Sequence, residues 1–123
     1  MLGTFENLKT VPTIPGHKLV FAHIISPHRP YLFGLNGKPL DQLGPFTLSI
    51  DAGLPSEVEC GLYRDQLLFV SRMLQETIRE IIEDSRRPLI IIVQGGQGLG
   101  LDLDWENVRL PAPKARMRIL NAY

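Results

Sequence analysis

Two apolar runs, separated by a long polar and amphipathic stretch, constrain the fold of this 123-residue chain more than any other feature. The first run is Leu19 to Ile25, in a segment that begins at Lys18, and the second is Leu89 to Val93. Nearly continuous apolar runs are typical of strands buried on both faces, as in parallel sheets. Pro27 and Pro30 end the first strand, because proline cannot donate to a sheet ladder.

The stretch between the two runs predicts one long helix, from Ser56 to Asp84. Ser56 and Glu59 form an S-x-x-E pattern, which predicts a capping box at the helix start. Residues of a predicted buried stripe then recur every three or four positions: Tyr63, Leu67, Val70, Leu74, Thr77, Ile78 and Ile81. Charged residues fall largely off this stripe: Arg64, Arg72, Glu76, Arg79 and Glu83.

A strand, a long loop, a helix and a second strand in this order predict an α/β fold. The loop, Leu32 to Leu54, is rich in Gly, Pro, Asn and Asp. A crossover of this kind places two parallel strands side by side, with the helix on one face of the sheet. Ala115 to Leu120 is a predicted third strand. Residues 1–17 are predicted to be a weakly patterned lead-in, and residues 18–123 to form the domain.

Composition removes several classes of partner. Thirteen basic residues balance thirteen acidic ones, so there is no electrostatic basis for binding nucleic acid. No apolar run approaches the roughly 20 residues that span a bilayer, and no membrane segment is expected.

Cys60 is the single cysteine, which excludes an intrachain disulfide. It is predicted to be a small buried hydrophobic residue.

The predicted sheet brings two segments to one edge, because the carboxyl ends of adjacent parallel strands meet where open α/β sheets bind ligands. His28 follows the first strand beside Arg29, and such a pair is suited to bind an oxyanion. The alternative is a loop histidine without a role. The turn Gly95 to Gly100 follows the second strand; it matches no phosphate-binding pattern and is predicted to be a plain glycine turn.

Two weaker signals point to structural roles. His23 lies within the first predicted strand, where a hydrogen-bonded core histidine is commoner than a ligand. Asp102 and Asp104 are two carboxylates near each other, which is too few for a cation site. They are predicted to lie in a solvated loop.

A series of motifs, interrupted by the long polar loop, resembles a known family in its order and spacing. The motifs are Phe21–Ile24, Pro27–Tyr31, Tyr63–Gln66, Pro88–Gly95 and Ile119–Tyr123. Together they resemble the sulfatase-like domains of membrane-anchored bacterial enzymes, relatives of the lipoteichoic acid synthases within the alkaline phosphatase superfamily. The resemblance covers about Leu19 to Tyr123. It implies the C-terminal part of such a domain, with a partial parallel-sheet sandwich of the alkaline phosphatase type.

The resemblance also assigns site residues. His28 matches the family's H-x-P-[FY] histidine, which contacts the sulfate or phosphate being transferred, and the Pro-Tyr that follows is in register. The family's Q-G-D-H-G motif supplies Asp and His to a divalent metal such as Zn, Mn or Ca. In this chain Gly96 stands at the Asp position and Gln97 at the His position. Neither supplies a carboxylate or an imidazole, so no metal or other cofactor is expected here.

The resemblance thus implies a fragment or degenerate member of a family that hydrolyses or transfers sulfate or phosphate esters. Inactivity is expected because the metal pair is lost and because the family's nucleophile precedes these motifs. His28 and Arg29 are the expected substrate-binding residues, and no catalytic residue is assigned. A non-catalytic α/β binding or interaction module, or a truncated remnant, stays open as an alternative.

The expected partners are an anion of the sulfate or phosphate type, the N-terminal half of the same domain, or a second copy of the chain. Relatives hold this domain outside the cytoplasmic membrane on N-terminal helices. This chain by itself would stay in the cytoplasm, so the two indications differ and the compartment is left open.

Overall fold

A computed structural model describes residues 1–41, 55–99 and 119–123 and divides the chain into two compact units, Met1–Pro88 and Leu89–Tyr123. The first unit contains helix α1 (Leu2–Lys9), a 3-10 helix (Val11–Thr13) and helix α2 (Ser56–Asp84). The second contains strands β1 (Val93–Gln94) and β2 (Asn121–Ala122).

The N-terminal lead-in forms a helix that the sequence analysis did not predict. Phe5 of α1 is fully buried, and α1 packs against α2. The Nζ atom of Lys9, at the end of α1, lies 3.0 Å from a carboxylate oxygen of Glu80 on α2. The hydrogen bond to Glu80 is the main reason that the pKa of Lys9 is raised. An eight-residue helix is marginal by itself in water, so we infer that packing against α2 stabilises it.

Helix α2 confirms the predicted helix from Ser56 to Asp84. The predicted capping box is wrong, however. Pro55 is the N-cap residue, and no side chain caps the helix start, because the carboxylate of Glu59 binds Arg29 instead. At the other end Ser85 leaves the helical conformation, and its Oγ atom donates a hydrogen bond to the carbonyl of Ile81 at 2.5 Å.

The buried face of α2 is more polar than the predicted stripe. Its buried residues are Glu59, Gln66, Val70 and Thr77. Leu67, which the stripe included, is 38% exposed. The five charged residues predicted off the stripe are all exposed: Arg64, Arg72, Glu76, Arg79 and Glu83. The packed face therefore includes Glu59 and Gln66, because the segment 28–33 binds there.

The beginning of the predicted loop is an ordered turn. A β-bridge joins Phe33 to Pro39, and the ring centroid of Phe33 lies 5.3 Å from that of Phe69 on α2. Gly37 has a φ of +73°, and a Cβ atom there would lie 2.5 Å from the Phe69 ring. Both facts favour glycine at this position. Residues 42–54 of the predicted loop lie outside the described residues.

The strand predicted over the first apolar run is not formed. Residues 17–26 belong to neither helix nor strand. Leu19 is 97% exposed and Phe21 is 88% exposed, and His23, predicted to be a core residue, is exposed too. Apolar sequence favours a strand only when a partner strand completes the ladder, and the described residues supply none to this run.

The second apolar run forms a strand only at its end. β1 pairs antiparallel with β2, with Val93 opposite Ala122. Ile90, predicted to be in a buried strand, is 89% exposed. Residues 115–118 of the predicted third strand lie outside the described residues, and residues 119–120 precede β2. The parallel-sheet fold of the alkaline phosphatase type stays a prediction.

The length of the helices and the exposure of Cys60 test two predictions from the sequence. None of the helices in the described part of the chain has both the length and the apolar character to cross a bilayer. Cys60, predicted to be buried, is exposed. It follows the buried Glu59 on α2, and adjacent helical residues face different directions.

Candidate functional site

The candidate site is built around His28, which is exposed in the first unit. His28 lies between two cis peptide bonds, Ser26–Pro27 and Arg29–Pro30. The Nδ1 atom lies 2.9 Å from the carbonyl oxygen of Arg29. A carbonyl oxygen only accepts hydrogen bonds, so Nδ1 carries the proton. The contact given for the ring within residues 1–41, 55–99 and 119–123 is this one, and it leaves Nε2 to another partner.

Arg29 binds the carboxylate of Glu59 on α2. Its Nε and Nη2 atoms both contact Oε1 of Glu59. The side chains are 13% and 4% exposed, so this is a largely buried ion pair. Burial lowers the pKa of Arg29, but the hydrogen bond and the negative charge of Glu59 outweigh burial and raise it. The structure thus places Arg29 at the contact between loop and helix, and its predicted contact with an anion stays a prediction.

Tyr31 completes the cluster around Glu59. Its hydroxyl donates a hydrogen bond at 3.1 Å to the same Oε1 atom that Arg29 contacts. Burial raises the pKa of Tyr31 well above its usual value, and the negative charge of Glu59 raises it further. Tyr31 therefore stays protonated, and one carboxylate holds two side chains of the loop.

Gln66 holds the backbone of the same loop. Its Oε1 atom accepts hydrogen bonds from the backbone N–H groups of Leu32 at 2.6 Å and Phe33 at 3.2 Å. Its Nε2 atom donates to the carbonyl of His28 at 3.3 Å. Gln66 is 2% exposed, and these bonds satisfy an amide that would otherwise be costly to bury.

Sequence reasoning gave neither Glu59 nor Gln66 a role in the site. The sequence pattern predicts a local capping box for Glu59 and includes Gln66 only within a family motif. Their spacing of seven residues, which is two turns of one helix face, is the signal that the sequence offers. Long-range polar pairing of this kind depends on which loop packs against the helix, which local pattern does not encode.

The glycine turn that contains Gly96 and Gln97, at which no metal is expected, lies in the second unit. The backbone N–H of Gly95 donates to the carbonyl of Leu120 at 2.8 Å. A Cβ atom at Gly95 would lie 3.2 Å from the backbone nitrogen of Leu120, which favours glycine there. Gly96 and Gln97 are exposed, and a Cβ atom at Gly96 would meet nothing within 4 Å.

Metal binding can be examined in the ranges 1–41, 55–99 and 119–123. No group of three or more His, Cys, Asp or Glu side chains in these ranges could hold a metal ion. Asp102 and Asp104 lie outside the described residues, as does Gly100 at the end of the glycine turn. The absence of a metal cofactor stays a prediction.

Comparison with known proteins gives no relative: no family model, no curated protein and no solved structure matches this chain. Function is therefore inferred from the geometry around His28 and from the motif resemblance.

Proposed function

We propose that this chain is a degenerate part of a sulfatase-like domain, that it binds a sulfate- or phosphate-type anion through His28, and that it does not hydrolyse esters. One observation carries the proposal: an exposed imidazole stands on a loop that buried side chains of α2 hold in place. Preorganised polar groups bind a ligand without the cost of ordering them. The resemblance of the His28 motif to the family's anion-contacting histidine agrees with this assignment.

His28 can bind an oxyanion through a ring N–H that donates a hydrogen bond, and hydrogen bonds from a charged donor are about twice as strong as neutral ones. Arg29 adds little positive field, because Glu59 neutralises its charge. We therefore expect weak binding that weakens further with added salt.

Catalysis is not expected, because the metal positions have lost their ligands. A catalytic metal site needs several carboxylate, imidazole or thiolate donors and one open position. Gly96 has no side chain, and Gln97 offers only a neutral amide. Without a metal, nothing assigned in this chain lowers the pKa of a nucleophile or polarises an ester.

Titration of the full chain with sodium sulfate at pH 5.5 and low ionic strength tests the proposal. The ring signals of histidines labelled with nitrogen-15 report which imidazole responds. His23→Ala is the matched control, because His23 is also exposed and precedes His28 in the same unit. We expect saturable shifts of the His28 signals, loss of binding in His28→Ala, and wild-type binding in His23→Ala.

Equal binding by both variants, or no binding by the wild-type chain, would refute the anion site. A second arm addresses inactivity: the chain is incubated with p-nitrophenyl sulfate and p-nitrophenyl phosphate in the presence of zinc, manganese or calcium. Turnover that chelation abolishes, and that His28→Ala lowers, would refute the proposed loss of catalysis.

A second candidate function is a non-catalytic interaction module. The observation that favours it is the exposure of Leu19 and Phe21, at 97% and 88%, within one apolar run. Large exposed apolar patches often mark interaction sites, and a run to which the described residues supply no ladder partner offers its backbone to another strand. Sedimentation at rising concentration should show self-association that Leu19→Ser with Phe21→Ser reduces. Ile14→Ser, at a 50% exposed residue elsewhere, is the control. A strictly monomeric chain would contradict this function.

A further inference from the structure

We infer that Gln66 is the positioning residue for His28. The inference rests on the proposed anion contact of His28 and adds the group that prepares it. The side chain of Gln66 hydrogen-bonds the backbone of His28 and also the backbone of Leu32 and Phe33, which follow in the same loop. Its three bonds enclose the loop from His28 to Phe33. They therefore fix the path of the backbone, and the imidazole ring stays available to a ligand.

The chemistry of Gln66 suits this role better than a packing role. A leucine would fill a similar volume on a buried helix face without the cost of burying an amide. The amide instead accepts two N–H groups through Oε1 and donates through Nε2, which fixes its own orientation as well as the loop. A buried polar group whose bonds are satisfied specifies one arrangement of its surroundings.

Gln66 binds the backbone of the loop, whereas Glu59 binds two of its side chains. The Glu59 carboxylate binds side-chain atoms of the loop, from Arg29 and Tyr31. Gln66 contacts the carbonyl oxygen of His28 itself. The carbonyl that follows, of Arg29, accepts the hydrogen bond from Nδ1 of His28. Gln66 thus fixes the peptide that leads to this carbonyl, so Nδ1 keeps its acceptor, and Nε2–H of a protonated ring can donate to the anion.

Nitrogen-15 spectra of the histidine rings test this directly, because they distinguish Nδ1–H from Nε2–H. Three variants of the full chain are compared with wild type: Gln66→Glu, Gln66→Leu, and Gln75→Leu as the exposed control on the same helix. Gln66→Glu keeps an acceptor for Leu32 and Phe33 and loses the donor to His28, but it also adds a buried negative charge. Gln66→Leu removes all three bonds without adding charge, so an effect is assigned to positioning only where both variants show it. Circular dichroism checks that each variant is folded.

We expect Nδ1–H for His28 in wild type and Gln75→Leu at neutral pH, and a mixture of both tautomers in the Gln66 variants. Sulfate affinity should fall about tenfold in both Gln66 variants and remain unchanged in Gln75→Leu. A folded Gln66→Leu variant with the wild-type tautomer and affinity would overturn the inference. If Gln66→Leu does not fold, Gln66→Met, which also adds no charge and has an unbranched side chain of similar length, decides the result.

The failure of the proposed function has a different signature. If wild-type His28 does not respond to sulfate while the Gln66 variants still change its tautomer, the anion site is wrong and the positioning role stands. If wild-type His28 binds sulfate and the Gln66 variants leave tautomer and affinity unchanged, the positioning role is wrong and the anion site stands.

Discussion

Glu59 and Gln66 lie two turns apart on the buried face of α2, and each holds a different part of the loop that carries His28. Residues at this spacing are separated by about 10 Å along the helix axis, at about 1.5 Å per residue. Glu59 binds the side chains of Arg29 and Tyr31, whereas Gln66 binds backbone atoms. Two residues of α2 therefore hold the loop from His28 to Phe33, which precedes them by about 30 residues in the sequence.

Removal of the Glu59 carboxylate should be strongly destabilising. Glu59→Ala removes the carboxylate that the largely buried guanidinium of Arg29 binds, and it removes the acceptor of Tyr31. We expect the free energy of unfolding to fall by about 3 kcal/mol, as is typical when one member of a buried pair is removed. Urea unfolding measures the change, with Glu57→Ala, an exposed residue in the same turn, as the control. A loss no larger than the control's would contradict the buried pairing.

Tyr31 should make stability fall at alkaline pH. Its pKa is raised in the folded state, so the native chain keeps the phenol proton at a pH at which the unfolded chain has released it. This contribution is complete below pH about 10, where tyrosine titrates in the unfolded chain, and is lost as the pH rises further. Urea unfolding between pH 8 and pH 11 should show a steeper decline in wild type than in Tyr31→Phe.

Tyr123→Phe is the control for this series, because Tyr123 is 92% exposed. Some decline should persist in Tyr31→Phe, since burial also raises the pKa of Tyr63. Identical slopes in wild type and Tyr31→Phe would show that the Tyr31 hydroxyl is not held in the buried cluster.

Gly37 should tolerate alanine much less than Gly16. Both have positive φ, at +73° and +88°, so alanine is strained at either position by about 1 kcal/mol. At Gly37 the added Cβ would also lie 2.5 Å from the Phe69 ring, whereas at Gly16 it would meet nothing within 4 Å. We expect Gly37→Ala to cost about 1–3 kcal/mol more, as overpacking does. Equal losses in urea unfolding would mean that Phe69 does not pack on this turn.

Introducing the two metal ligands that the family resemblance implies should confer metal binding but not catalysis. In Gly96→Asp with Gln97→His, a carboxylate and an imidazole replace groups that offer no strong ligand. Gly96 has open space for the new side chain. Calorimetry should show zinc affinity at least about tenfold above wild type, with Gly96→Ala as the control. Hydrolysis of p-nitrophenyl sulfate by the double variant would contradict the expectation, and so would tight zinc binding by the wild-type chain.

The helix was predictable from sequence because its determinants are local. Apolar residues at spacings of three and four, with prolines at 55 and 88 beyond its ends, define α2 within a single stretch of chain. The predicted strands depended on partners elsewhere. Residues 18–25 therefore form no strand here, and the second run pairs only through Val93 and Gln94, antiparallel to β2.

For the candidate site, the sequence by itself placed His28 between two prolines and next to an arginine. The exposure of His28 is a result of the tertiary structure. The sequence could not determine what that arginine binds. S-x-x-E predicts a cap for Glu59, but tertiary packing brings Arg29 and Tyr31 to the same carboxylate, and a charged donor competes better for it than a backbone N–H group. Tertiary packing likewise decides the role of Gln66. Its amide is buried against the loop and hydrogen-bonds the loop backbone, because buried amides are normally hydrogen-bonded.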